Sequence, residues 1–219
     1  MNAPVWLNKL ERKFGKYAIP GLMNIMIMGM AIVFIMDNIV GPMAGKVPLA
    51  PYLLFSRDAI LSGQIWRLIT FVFDPMELSP FFLIFTLYFY WLIGSVMENQ
   101  WGTFRFNVFY FCGVIGTIIG GFITGYTSNT FLTLSLFIAF AAIAPDFQLM
   151  LFFFIPVKIK YLAMFDGVLL LVSFFLSGLS GKIAIVMSLI NLLIFFGKDF
   201  ISFVKFRIRH LKYKIKNKR

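Results

Sequence analysis

The stretch PFFLIFTLYFYWLIGSVM, residues 80–97, runs from Ser79 to Glu98 without a single Asp, Glu, Lys or Arg. As a helix rising about 1.5 Å per residue it covers most of the roughly 30 Å of hydrocarbon in a bilayer. It carries no polar stripe that would face water, so it reads as a membrane span rather than a surface helix. Working outward, comparable apolar runs occupy residues 22–40, 106–125, 131–144, 161–176 and 182–197, the fourth in chain order (131–144) being the shortest. The predicted fold is all-α: a polytopic integral membrane bundle of six transmembrane helices over residues 22–197, a cytoplasmic amphipathic lead-in over 1–21 and a basic cytoplasmic tail over 198–219. No internal repeat or linker divides it.

Composition leads to the same class. Of 219 residues, 60% are hydrophobic, 19% aromatic and only 13% charged, where a soluble domain carries about 25% charged residues. A water-soluble fold is excluded, because so few polar groups cannot cover its outside. The net charge of +11 would suit a nucleic-acid binder, but nine of the 20 cations fall between Lys198 and Arg219, after the last apolar run. They read as a membrane-anchoring end, and no nucleic acid is expected. With the amino terminus cytoplasmic, the inside holds Lys9, Arg12, Lys13, Lys16, Arg105, Lys158, Lys160 and the nine tail cations, sixteen in all, against Lys46, Arg57, Arg67 and Lys182 outside. That imbalance places both termini in the cytoplasm, at the plasma membrane if bacterial and the endoplasmic reticulum if eukaryotic.

The run 22–40 is longer than a signal-peptide core and carries Asn24 and Asp37, so it is expected to stay as a span. Lys9 to Tyr17 is expected to lie on the inner surface as a basic amphipathic helix. The connection 41–79 is long and apolar, with Tyr52-Leu53-Leu54-Phe55 and Ile65 to Phe73 poorly suited to water, so it is expected to fold into the outer leaflet. Cys112 is the single cysteine; it makes no disulfide within the chain and alone is no metal site. No metal and no cofactor are expected.

Gly63-Gln64-Ile65-Trp66-Arg67-Leu68-Ile69-Thr70-Phe71-Val72-Phe73 resembles the Trp-Arg signature of rhomboid-family proteins. A run ending Ile93-Gly94-Ser95-Val96-Met97-Glu98 follows, then Gly102 and Arg105-Phe106, similar to the E-x-x-x-G-x-x-R-F between the second and third rhomboid helices. Ala139-Phe140-Ala141-Ala142-Ile143-Ala144-Pro145 and Phe153-Phe154-Ile155-Pro156-Val157-Lys158-Ile159-Lys160 resemble the family's connection between the fourth and fifth helices. The resemblance spans about Trp66 to Lys160. It implies an outer-leaflet element packed on the first helices. A charged guanidinium there needs partners, and Asp58, Asp74 or Glu77 are available on the same side.

The departure is chemical. Rhomboid proteases use a Gly-x-Ser-Gly opening the fourth helix and a His on the sixth, the Ser attacking a peptide carbonyl while His takes its proton. The corresponding stretch here is Ser128-Asn129-Thr130-Phe131, and the one histidine, His210, lies in the tail. No catalytic residue is assigned, and the chain resembles the inactive branch that includes the derlins. That branch implies transmembrane protein clients, local perturbation of the bilayer, and a membrane-associated ATPase or ATP-dependent protease as partner, in membrane protein quality control. The alternatives are a residual intramembrane serine protease with a non-standard base such as Lys182, or a small solute or proton transporter.

Several residues carry competing readings. Trp66 and Arg67 are either a structural and client-contacting element or an ordinary interfacial belt. Glu98 and Arg105 form either a surface ion pair or a staple across the inner helix ends, with Gly102 permitting the turn. Gly113, Gly116, Gly120, Gly121 and Gly125 repeat the small-x-x-x-small spacing that lets helices approach in lipid, for packing within the bundle or for dimerisation. Asp166, an acid inside a span, either hydrogen-bonds Asn191 at similar depth or reaches back to Lys158 or Lys160. The tail sets topology and binds anionic lipid, or docks a partner.

Overall fold

The computed structural model describes residues 4–45, 48–75, 79–151 and 155–216. Glu77 and the Phe153-Phe154 part of the family-like stretch lie outside the described residues, as do the side chains of the tail from Lys198 onward. Helix α1 (Val5–Phe14) precedes α2 (Leu22–Ile35), which continues through a π-helical turn (Met36–Val40) into α3 (Gly41–Met43). Together they form one apolar span, Leu22–Met43. The connection that follows folds into α4 (Ala50–Leu53), β1 (Phe55–Ser56), α5 (Arg57–Leu61) and α6 (Arg67–Thr70). Then come α7 (Pro80–Trp101), α8 (Thr103–Thr124), β2 (Tyr126–Thr127), α9 (Thr130–Ile143), the strands β3 (Gln148–Leu151) and β4 (Ile155–Lys158), α10 (Ile159–Leu176) and α11 (Leu179–Lys216).

Among the described residues, five helices are long and apolar enough to cross a membrane: Leu22–Met43, Pro80–Trp101, Thr103–Thr124, Ile159–Leu176 and Leu179–Gly197. The chain is an integral membrane protein of helical-bundle type. Six runs were expected, and the run 131–144 supplies α9, whose 14 residues reach only about 21 Å. The strands were not expected. β1 and β2 pair antiparallel, Phe55 opposite Thr127, and tie the long connection to the far end of α8. β3 and β4 pair antiparallel at the other end, Gln148 opposite Lys158. In an apolar medium backbone groups outside helices need partners, and these short ladders supply them.

Helix α8 is central. It packs along the apolar half of α11 and touches α7, α9, α1 and β1. Phe55, Phe71, Phe106, Phe109, Phe140, Ile93 and Met97 form the fully buried centre. Trp6 meets Phe195 edge-on with ring centroids 5.4 Å apart, and Trp101 stacks on Phe196 at 5.1 Å. α1 therefore sits at the same end of the bundle as the close of the apolar half of α11. α10 stands at the periphery, with Phe165, Val168, Leu171, Phe175 and Leu176 exposed.

Candidate functional site

The connection between α3 and α7 holds the first group of candidate residues. Arg67 opens α6 and is 7% exposed. Its Nε donates to Gln64 Oε1 at 2.7 Å, and its Nη1 donates to the Pro51 carbonyl at 2.9 Å and the Leu54 carbonyl at 2.7 Å. Of the anticipated carboxylate partners, Asp58 pairs instead with Arg57 at 3.4 Å. With five N–H donors a guanidinium can bind several oxygens that converge on it from different segments. Thr70 adds a hydrogen bond to the Leu53 carbonyl at 3.0 Å. Arg67 thus ties α4 and the approach to β1 onto α6.

The outward face of this element is apolar. Ile65, Trp66 and Ile69 are 67%, 49% and 68% exposed, and Trp66 Nε1 donates to the Tyr52 carbonyl at 3.3 Å. Its indole N–H is satisfied while its ring faces outward. Phe71 and Val72, on the opposite side, enter the core.

Beneath this element lies a buried polar group drawn from different helices. Tyr90 of α7 shares a short hydrogen bond with Thr133 of α9. Asn129, which precedes α9, donates to the Asp74 carbonyl at 2.7 Å. Tyr110 of α8 is buried with them. They line a cavity of about 10 Å³, room for one water at most, and the buried Asn129 Oδ1 faces no protein partner. This is where the rhomboid resemblance locates the Gly-x-Ser-Gly. Ser128 instead shares a hydrogen bond with the Thr130 hydroxyl at 2.9 Å, and the buried Ser135 hydroxyl donates back to the Leu132 carbonyl at 2.8 Å, a common fate of helix serines. Lys182 stands 5.9 Å over the Phe174 ring.

At the opposite end, Glu98 and Arg105 do not pair with each other. Both Glu98 carboxylate oxygens accept from the Gly21 N–H at 3.1 Å, and Oε1 accepts from the Thr103 hydroxyl at 2.8 Å. Arg105 binds Glu11 at 2.9 Å and Asn8 at 3.3 Å. Two separate links result, one from α7 to the entry of α2 and one from α8 to α1. The reason is Gly102: at φ +90°, open to glycine and strained for other residues, it turns α7 sharply into α8. Asn107, buried nearby, donates to the Ile19 carbonyl at 3.0 Å.

The glycines of α8 divide by face. An added Cβ at Gly113 would lie 2.6 Å from Leu132 Cδ1, and one at Gly121 would lie 2.5 Å from the Phe55 ring. Gly116 and Gly120 face Met187 of α11 at ordinary contact distance, 3.9 and 3.5 Å. Gly125 closes α8 at φ +91°. These contacts are all within the bundle.

Of the two readings of Asp166, the bond to Asn191 is absent among the described residues. Asn191 Nδ2 donates to the Phe109 carbonyl at 3.4 Å, because α11 packs against α8 rather than turning that face to α10. Asp166 Oδ2 is buried without a partner. Nor does Asp166 reach the lysines, since Lys158 and Lys160 both bind Asp146, at 3.3 and 2.8 Å. Those hydrogen bonds, Lys160 first, hold the Asp146 carboxyl below its ordinary value of 3.8. Tyr90, Tyr110, Asn129, Asn107 and Gly21 were not singled out in the sequence. For Tyr90, Tyr110 and Asn107 the trace there is a polar side chain inside an apolar run, while Gly21 and Asn129 stand in the connections that precede α2 and α9.

Among the described residues, no cluster of His, Cys, Asp and Glu could hold a metal ion. No protein-family model matches the chain, and no curated protein is significantly similar to it.

Proposed function

We propose that this protein is a rhomboid-like pseudoprotease, of the derlin-like branch: a six-helix bundle, counting the short α9, that binds transmembrane clients and perturbs the bilayer around them without cleaving peptide bonds. The observation that carries this reading is the element fixed by Arg67. A buried guanidinium holds the α4–α6 connection rigid while Ile65, Trp66 and Ile69 face outward, giving an apolar contact surface that a mobile loop would not keep. The 14-residue α9 adds a thin point, since a helix shorter than the hydrocarbon is accommodated by thinning lipid or by recruiting other helices. Against hydrolysis stands the hydrogen-bonding of Ser128 and Ser135 to neighbours that are not bases; without a base a serine hydroxyl is a weak nucleophile. His210 follows Gly197 on α11 by 13 residues, about 20 Å along the axis. An ATPase or ATP-dependent protease on the side of the tail belongs to the reading as the energy source for moving clients.

The test replaces Trp66 by a photoreactive amino acid in native membranes. Adducts to membrane-spanning proteins, absent when the same probe replaces the exposed Tyr17, are expected. No adduct above the Tyr17 control would overturn the client-binding reading.

A further inference from the structure

We propose that the groove between α8, α10 and α11, at the end of the bundle that carries β1 and β2, binds one anionic phospholipid, an acyl chain lying in the groove and the phosphate on Lys182. The groove measures about 280 Å³ and is lined by Ile123 of α8, Phe174 of α10, and Lys182, Ile183, Val186 and Met187 of α11. Gly116 and Gly120 bring α8 against Met187, which closes the groove below. The joint through Ser177 and Gly178 leaves it open at the helix ends, where Phe175, Leu176 and Leu179 are exposed. It lies just under the roughly 300–1,000 Å³ of sites that enclose a compact ligand, and its open side lies on membrane-spanning helices, so one hydrocarbon chain is what it fits.

Lys182 decides the headgroup. It is the only cation on the groove wall, and its ammonium stands over the Phe174 ring, which forms part of that wall. None of the ion pairs among the described residues involves it. Two of the described acids at this end are engaged elsewhere: Asp58 with Arg57, and Asp37 with the Leu49 and Ala50 N–H groups. A lysine at the end of a membrane-spanning helix sits at the interface and attracts anionic headgroups, and a phosphate at the mouth of the groove supplies its counter-charge with strong hydrogen bonds. Lys182 also lies in the first turn of α11, where the helix dipole favours an anion.

The experiment uses the full chain in nanodiscs with photoreactive phosphatidylglycerol or phosphatidylcholine, the diazirine being on the acyl chain, and maps adducts by peptide mass spectrometry. Lipid bound by the tail labels elsewhere and does not interfere. In the parent protein, the segment 183–187 should be labelled about fivefold more by phosphatidylglycerol, the ratio one cation near the membrane surface supplies. Lys182→Gln should bring the two lipids level, and Lys182→Arg should keep the difference. Val186→Trp should fill the groove and remove labelling by both. Equal labelling by the two lipids in the parent, or a preference that survives Lys182→Gln, overturns the proposal. If inorganic phosphate alone raises the melting temperature of the parent but not of Lys182→Gln, the site takes a free anion and the lipid assignment falls. Should Val186→Trp not fold, the Gln and Arg variants decide the matter.

Discussion

Arg67 is surrounded by carbonyls, and this changes what its removal should do. Arg67→Ala strands the Pro51 and Leu54 carbonyls and Gln64 in a place where water has little access, so a loss of about 1 to 3 kcal/mol is expected. Arg67→Lys should recover only part of it, because one ammonium cannot reproduce the spread of a guanidinium. Melting curves in detergent check both; a lysine variant as stable as the parent would mean that charge alone matters. Asp166 gives the opposite sign. Its Oδ2 is buried and has no partner, so Asp166→Leu should leave the melting temperature unchanged or raise it, since no group is stranded and an unsatisfied polar atom is removed. A fall of more than about 1 kcal/mol would reveal a partner. Asp146 brings a pH dependence. Its carboxyl is held below 3.8 by Lys160 and Lys158, so the contribution of that link is present above pH 3.8 and disappears as the pH falls through the lowered value. The difference in melting temperature between Asp146→Asn and the parent, small because the pair is exposed, should be visible at neutral pH and shrink on acidification below 3.8.

At the scale of elements, the glycine spacing on α8 announces close packing, and the two faces respond differently. Gly116 has nothing nearer to an added Cβ than 3.9 Å, so Gly116→Ala should be tolerated, gaining helix propensity and contact with α11. At Gly121 the same methyl would enter the Phe55 ring and the Thr127 methyl, so Gly121→Ala should cost about 1 to 3 kcal/mol by overpacking and loosen the β1–β2 ladder. Thermal denaturation of the pair checks this, and equal stabilities would contradict the packing described. The small-x-x-x-small pattern alone does not separate the two, because it gives spacing along one helix and not what stands opposite. The same holds for Glu98: its position at the end of α7 was legible, but the Gly21 N–H that it accepts comes from 77 residues away.

For the whole molecule, the two ends are chemically distinct. One carries α1, the Glu98 and Arg105 links and the β3–β4 hairpin; the other carries β1, β2, α6 and Lys182. On the cation imbalance, the first is the end we propose to be cytoplasmic. In a background with Cys112 replaced, a membrane-impermeant maleimide added to intact cells should therefore label Tyr126→Cys and leave Met150→Cys unlabelled until the membrane is opened, both positions being exposed. The reverse pattern would invert the topology. Membrane residence, the approximate spans and the charge asymmetry were in the sequence because they depend on local composition: an apolar run of the right length needs lipid whatever its neighbours are. The partners of Arg67, Glu98, Arg105, Asp166 and Asn191, the group formed by Tyr90, Tyr110, Asn129 and Thr133, and the two short ladders were decided only by tertiary structure. Hydrogen bonds and close contacts between distant segments depend on which helix faces meet, and a pattern read along one chain does not contain that.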